Sequence, residues 1–137
     1  MGKFETFSTT ADVGIRVTGQ DLEDLFKTAV NGLNRLLFND GISSAAGSTV
    51  HRFEYHGDSA ENILVNLLSE ILFLVQVRGQ ITVDLEIREA GENNISANLL
   101  LTESTMEPEL DIKSVTYHNL KIIEKNGIKY TEVIFDI

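Results

Sequence analysis

Apolar residues recur along this chain in two rhythms. Between Asp21 and Phe38, residues Leu22, Leu25, Phe26, Ala29, Val30, Leu33, Leu36 and Leu37 return at helical intervals. That spacing lines one side of a helix and leaves the other side polar. Asp21 can cap its start, and Asn39-Asp40-Gly41 ends it. A second helix is predicted from about Asp58 to about Val77. It opens Asp58-Ser59-Ala60-Glu61, and an acid with a glutamate three residues later resembles a capping box. Leu, Ile, Val and Phe cover most of its circumference, so it is predicted to be central to the core.

The other rhythm has period two. Phe4 to Phe7 reads as a short strand, and Asp12 to Thr18 as another with Val13, Ile15 and Val17 on one face. Thr49 to Tyr55 alternates His51, Phe53 and Tyr55 with polar neighbours. After Gly79, the series Ile81, Val83, Leu85, Ile87 and the series Ile95, Ala97, Leu99, Leu101 flank Gly91-Glu92-Asn93-Asn94 and predict a hairpin. A final hairpin pairs Thr116–Glu124 with Ile128–Phe135. Its Asn126-Gly127 suits a type I′ turn, in which both central residues need positive φ. Two helices set among strands in this order predict an α+β fold. The helices pack on a largely antiparallel β-sheet in a two-layer sandwich. No linker, repeat or low-complexity stretch divides residues 1–137, so they read as one domain.

Composition narrows the chemistry. The chain has no cysteine, which excludes disulfides, thiolate metal sites and thiol nucleophiles. The opening Met-Gly-Lys-Phe-Glu-Thr has no apolar run and predicts no signal peptide. Ile63 to Val77 is interrupted by Asn66, Ser69, Glu70 and Gln76, so no membrane span is expected and a cytoplasmic location fits. Net charge is −10. Gripping phosphate backbones needs clustered Lys and Arg, so no direct nucleic-acid binding is expected. The same charge suits a basic partner protein and supplies oxygen ligands for hard cations.

No catalytic motif is visible. His51, read in a strand, His56, read in a loop, and His118, read in another strand, have no close metal-ligand spacing. No serine sits in a nucleophile elbow, and no glycine-rich loop has phosphate-binding spacing. Two aspartates stand out instead. Asp12, in Thr9-Thr10-Ala11-Asp12-Val13-Gly14, begins an apolar strand between small residues. By spacing alone it reads first as a turn former bonding its own backbone. Asp136 ends the strand Val133-Ile134-Phe135-Asp136-Ile137, with the carboxylate of Ile137 beside it. By spacing alone that is a solvated chain end. Neighbouring carboxylates repel unless a cation lies between them, and with Asp12 they offer three oxygen-bearing groups to a divalent ion. Lys113, at the mouth of a strand, is a candidate cation beside such a site, although a surface lysine is the ordinary reading.

At these same residues the sequence resembles the archease family. Four segments carry the likeness. They are Thr10-Ala11-Asp12-Val13-Gly14-Ile15 with Leu22-Glu23-Asp24-Leu25-Phe26, then Asp58 through Leu72, then Ile112-Lys113-Ser114-Val115-Thr116-Tyr117-His118, and the terminal Phe135-Asp136-Ile137. The resemblance implies a non-catalytic protein cofactor of an RtcB-type RNA ligase, acting in tRNA splicing and RNA repair. It implies faster guanylylation of that ligase by GTP and metal, and so multiple turnover. It also implies a divalent ion held by Asp12, Asp136 and an oxygen of Ile137, with Lys113 and His118 as second-rank neighbours. The family usually has histidine where this chain has Thr9.

Hard oxygen donors, with no thiolate and no histidine cluster, favour Ca²⁺, Mg²⁺ or Mn²⁺ over zinc, and Ca²⁺ is the first expectation. Two competing readings remain. One is a chaperone-like module for tRNA-modifying enzymes, which predicts an exposed apolar patch. The other is a metal-dependent hydrolase, for which the sequence offers carboxylates but no convincing base.

Overall fold

The computed structural model describes residues 2–39, 49–104 and 106–137. The elements run β1 (Lys3–Ser8), β2 (Asp12–Gly19), α1 (Leu22–Phe38), β3 (Thr49–His56), α2 (Ala60–Arg78), β4 (Gln80–Ala90), β5 (Asn94–Glu103), β6 (Ser114–Val115), β7 (Ile123–Lys125) and β8 (Ile128–Asp136). The α+β class stands, and every strand pair described is antiparallel.

The strands divide between two sheets. One has the order β1-β2-β8-β6, with β7 also on β8, and the other has the order β3-β5-β4. Both ends of the chain meet in the first, because β8 returns to pair with β2. Helix α1 packs on β1 and β2 and touches β4, while α2 packs on β3, β4, β5 and β6. The helices touch each other, so one core serves both sheets. Strand alternation supplies its walls: Val13, Ile15 and Val17 from β2, Val133 and Phe135 from β8, and Ile95, Ala97, Leu99 and Leu101 from β5.

Helix α2 carries the centre, with Ile63, Leu64, Leu67, Leu68, Ile71 and Leu74 fully buried. Taken over its whole length, this helix is long and apolar enough to cross a membrane, unlike the shorter Ile63–Val77 stretch. Packing between the sheets accounts for that apolarity.

Local chemistry sets the boundaries. Asp21 caps α1 as expected, its Oδ1 accepting from the Asp24 N–H at 2.8 Å. Of the expected stop, Asn39 is the C-cap with φ 53°, and Asp40 and Gly41 lie outside the described residues. Helix α2 departs from the expected capping box. Ser59, not Asp58, is the N-cap, accepting from the Asn62 N–H at 3.1 Å. Glu61 is thereby released to accept from the Ile122 N–H at 2.8 Å.

That bond helps explain a second correction. Thr116–Glu124 is not one strand. Tyr117 is drawn toward α2 by the Asn62 side-chain amide, which donates to its hydroxyl at 2.7 Å. Glu61 holds the other end at Ile122, and Asn119 turns the chain between them with φ 55°. Pairing resumes at β7. The Asn126-Gly127 turn then has φ of 54° and 77°, the signs that type I′ requires.

Candidate functional site

Asp12 and Asp136 are directly opposed in the β2–β8 register. Asp12 spends its backbone on the other side. Its N–H donates to Thr9 Oγ1 at 3.1 Å, and its carbonyl accepts from the Thr9 N–H at 2.9 Å. The Asp136 carbonyl accepts from the Lys113 N–H at 2.7 Å, also away from β2. The two aspartates therefore exchange no ladder bonds. They form the non-hydrogen-bonded type of antiparallel pair, whose Cα atoms approach to about 4.5 Å. Their side chains leave the sheet opposite buried Val13 and Phe135, toward solvent.

Each acid has a distinct setting. Asp12 is half-buried, and its carboxylate has no hydrogen bond or ion pair among the described residues. Asp136 is exposed, and its Oδ2 accepts from Ser114 Oγ at 3.2 Å. Ser114 pairs with Asp136 in the β6–β8 register, a contact that sequence reasoning missed. Its signal was its place directly after Lys113. Thr9 also acquires a role: its hydroxyl closes the turn that aims Asp12 along β2.

Of the other expected site residues, Ile137 follows Asp136 and is exposed. Lys113 reaches the acids through its backbone. Its exposed side chain has no ion pair among the described residues and lines a cleft of about 690 Å³ shared with Gln76, Glu107 and Asp111. His118 lies in the turn after β6, not in a strand, because Tyr117 has pulled the chain toward α2. Its ring makes no hydrogen bond with the described residues. His51 pairs with Glu70 at 2.7 Å, a packed position, and His56 ends β3 rather than lying in a loop. No three His, Cys, Asp or Glu side chains gather as metal ligands among the described residues.

The outer face of the same sheet continues beyond the acids. Phe7 lies over Gly14, where an added Cβ would meet its Cζ at 2.3 Å. The Arg16 guanidinium stacks on Phe7 at 4.3 Å and bonds Glu5 and Glu132, each at 3.1 Å. Past this clasp the face opens into a groove of about 740 Å³ lined by Lys3, Thr18, Lys121, Ile123 and Tyr130, among others. The three-stranded sheet differs. There Glu54 bonds Arg52 at 2.8 Å and approaches Arg88 at 3.6 Å. The Arg52 guanidinium holds the Glu54 carboxyl below its ordinary range.

Comparison with known proteins identifies the family and the fold. The model of the Archease protein family (MTH1598/TM1083) matches residues 4–137. Protein archease of Pyrococcus abyssi is 29% identical over 128 residues, covering 89% of each chain. That of Methanothermobacter thermautotrophicus is 26% identical over 149 residues, covering both chains completely. The solution structure of Methanobacterium thermoautotrophicum Protein 1598 shares the fold, with TM-score 0.74, 23% identity and 98% of both chains covered. So does a crystal structure from Thermotoga maritima, described as an archease and possible chaperone, with TM-score 0.68, 20% identity and 97% and 96% covered.

Proposed function

This chain belongs to the archease family, and from that premise we propose that it is a non-catalytic activator of an RtcB-type RNA ligase in tRNA splicing and RNA repair. One observation carries the reading: Asp12 and Asp136 stand opposed and solvent-facing on strands from the two ends of the chain. Like charges set directly opposite each other weaken a sheet. A fold that keeps such a pair has a use for concentrated negative charge.

The donor set fits a hard divalent ion. Asp12 and Asp136, with a main-chain oxygen of Ile137, would hold Ca²⁺, Mg²⁺ or Mn²⁺ through oxygen alone, and water would complete the shell. The bound ion would supply positive charge between the carboxylates and toward the phosphates of the ligase's GTP chemistry. The chain's own part is to position the acids. Thr9 fixes the turn before Asp12, Ser114 orients the Asp136 carboxylate, and the Lys113 N–H anchors the Asp136 carbonyl. With net charge −10, the protein docks on a basic partner rather than on RNA.

Multiple-turnover ligation, with and without this protein, tests the proposal. The wild type raises the turnover rate, and the Asp12→Ala/Asp136→Ala double variant does not. Equal rates with and without the protein sink it, as does undiminished stimulation by the double variant.

A chaperone-like role toward tRNA-modifying enzymes is the second reading. It is favoured by Phe73 and Val77, one helical turn apart on α2 and 44% and 65% exposed. It predicts protection of clients from aggregation that Phe73→Ser/Val77→Ser abolishes and Asp12→Ala leaves intact.

A further inference from the structure

The groove beyond the Arg16 clasp combines features that a merely solvated sheet face lacks. Ile123 and Tyr130, which line the groove, and Ile128 outside its lining are large apolar side chains, 49%, 38% and 39% exposed. All three lie on one hairpin. Ile123 is opposite Tyr130, and Ile128 is two residues before Tyr130, so all three share the outer face. Exposed apolar residues gathered in this way mark interaction sites more often than residues scattered singly do.

Charge at this end is the reverse of the chain's. Lys3 and Lys121 line the groove, and neither ammonium has an ion pair or hydrogen bond among the described residues. Carboxylates are near, but Arg16 occupies both, bonding Glu5 and Glu132 together. In a chain of net charge −10, Lys3 and Lys121 leave this groove locally cationic beside an apolar cluster. From Asp12 to Thr18 along β2 the acid pair and the groove are separated by roughly 20 Å, at about 3.3 Å per residue.

We infer that the outer face of the five-stranded sheet is one dipolar docking face. Its groove receives an aliphatic or aromatic side chain flanked by carboxylates, from the same partner protein that meets Asp12 and Asp136. This rests on the activator reading above and adds its second anchor. Exposure selects the occupant. A small-molecule site encloses most of its ligand, whereas Ile123 and Tyr130 here stand open to solvent. Electrostatics assigns the two ends different tasks. The acidic end acts on the ligase once bound, and the groove rejects the reversed orientation by setting Lys3 and Lys121 against like charge.

The test is a titration of the RtcB-type ligase with this protein, read as stimulation of multiple-turnover ligation and as binding heat. Ile123→Ser/Tyr130→Ser and Lys3→Glu/Lys121→Glu each raise the half-maximal concentration and the Kd by about tenfold or more, the loss expected for one interface anchor. The plateau at saturation falls much less. Asp12→Ala/Asp136→Ala acts chiefly on the plateau. The substituted groove residues are exposed, and thermal melts matching wild type verify folding. If the groove variants titrate as wild type does, the docking face is overturned while the activator reading stands. If the wild type neither stimulates nor binds, the activator reading itself fails. A wild-type dimer that Ile123→Ser dissociates overturns the inference in favour of contact between copies of this chain.

Discussion

On the three-stranded sheet, one outward carboxylate is closed on by cations from both sides. Glu54 lies between Arg52 and Arg88, and Arg88 also bonds Asn98 and Ser96. On the five-stranded sheet, Arg16 gathers Glu5 and Glu132 in the middle, but both ends stay unmatched. Asp12 faces Asp136 at one, and Lys3 and Lys121 line the other. The difference follows from topology. Strands β4 and β5 are joined by a short turn and β3 adds to their edge, so that face is settled within the middle of the chain. The five-stranded sheet joins the first strands to the last, and carboxylates far apart in sequence become neighbours. Like charges directly opposed on one sheet, against a carboxylate set between two arginines on the other, separate a surface built to be met from one built to be solvated.

That contrast concerns faces, and it assumes that the two sheets behind them fold as one body. The largest expected effect tests this. Phe135→Ala empties a fully buried site under the acid pair, and Leu99→Ala empties one in the other sheet. Losses of about 3–5 and 2–5 kcal/mol are expected, respectively. Because α1 and α2 bridge the sheets, both variants should unfold in one urea transition, seen alike by circular dichroism and tyrosine fluorescence. A Leu99→Ala protein that melts in two steps would divide the molecule into independent halves.

A smaller effect addresses how the acid pair is isolated from the clasp. Gly14 lies between them, and a Cβ there would meet Phe7 Cζ at 2.3 Å and the Val133 carbonyl oxygen at 2.7 Å. Gly14→Ala should cost about 1–3 kcal/mol as an overpacked site. Adding Phe7→Leu should recover part of that, since the carbonyl contact remains. Full stability in Gly14→Ala alone, measured by denaturant midpoint, would show that Phe7 is not fixed over the strand.

Much of this fold is legible in the sequence, and what is not has physical causes. The stripe from Leu22 to Leu37 and the cap at Asp21 fix α1, because both signals act within a few residues. Val83 packs on the core only partly buried, since a register shift between Thr82 and Asp84 buries Thr82 as well, and no local pattern announces a bulge. The continuous strand predicted after Thr116 fails because Asn62 and Glu61, more than fifty residues earlier, compete for that segment. Spacing alone favoured ordinary roles for Asp12 and Asp136. Their opposition depends on the pairing register of two distant strands, and only the archease-like segments pointed to it in advance. Ser114, the Arg16 clasp and the unmatched lysines are cross-strand facts of the same kind.

The smallest expected effect gives the comparison its sharpest form, because the two sheets should respond with opposite signs. Asp12→Asn removes one of two opposed like charges and should raise stability by about 0.2–1 kcal/mol at neutral pH, less at high salt. Glu54→Gln removes a carboxylate that Arg52 holds below its ordinary range, so it should lower the melting temperature at neutral pH. The sign follows from linkage. A depressed carboxyl stabilises the fold above its unfolded-state pKa and loses that contribution as pH falls through the folded-state value. Glu54 is exposed, so solvent screening keeps the difference small. Melting curves from neutral to acid pH should show the Glu54→Gln deficit closing. If both variants shift stability the same way at neutral pH, the acid pair carries no more conflict than any solvated face, and the distinction between the two sheets collapses.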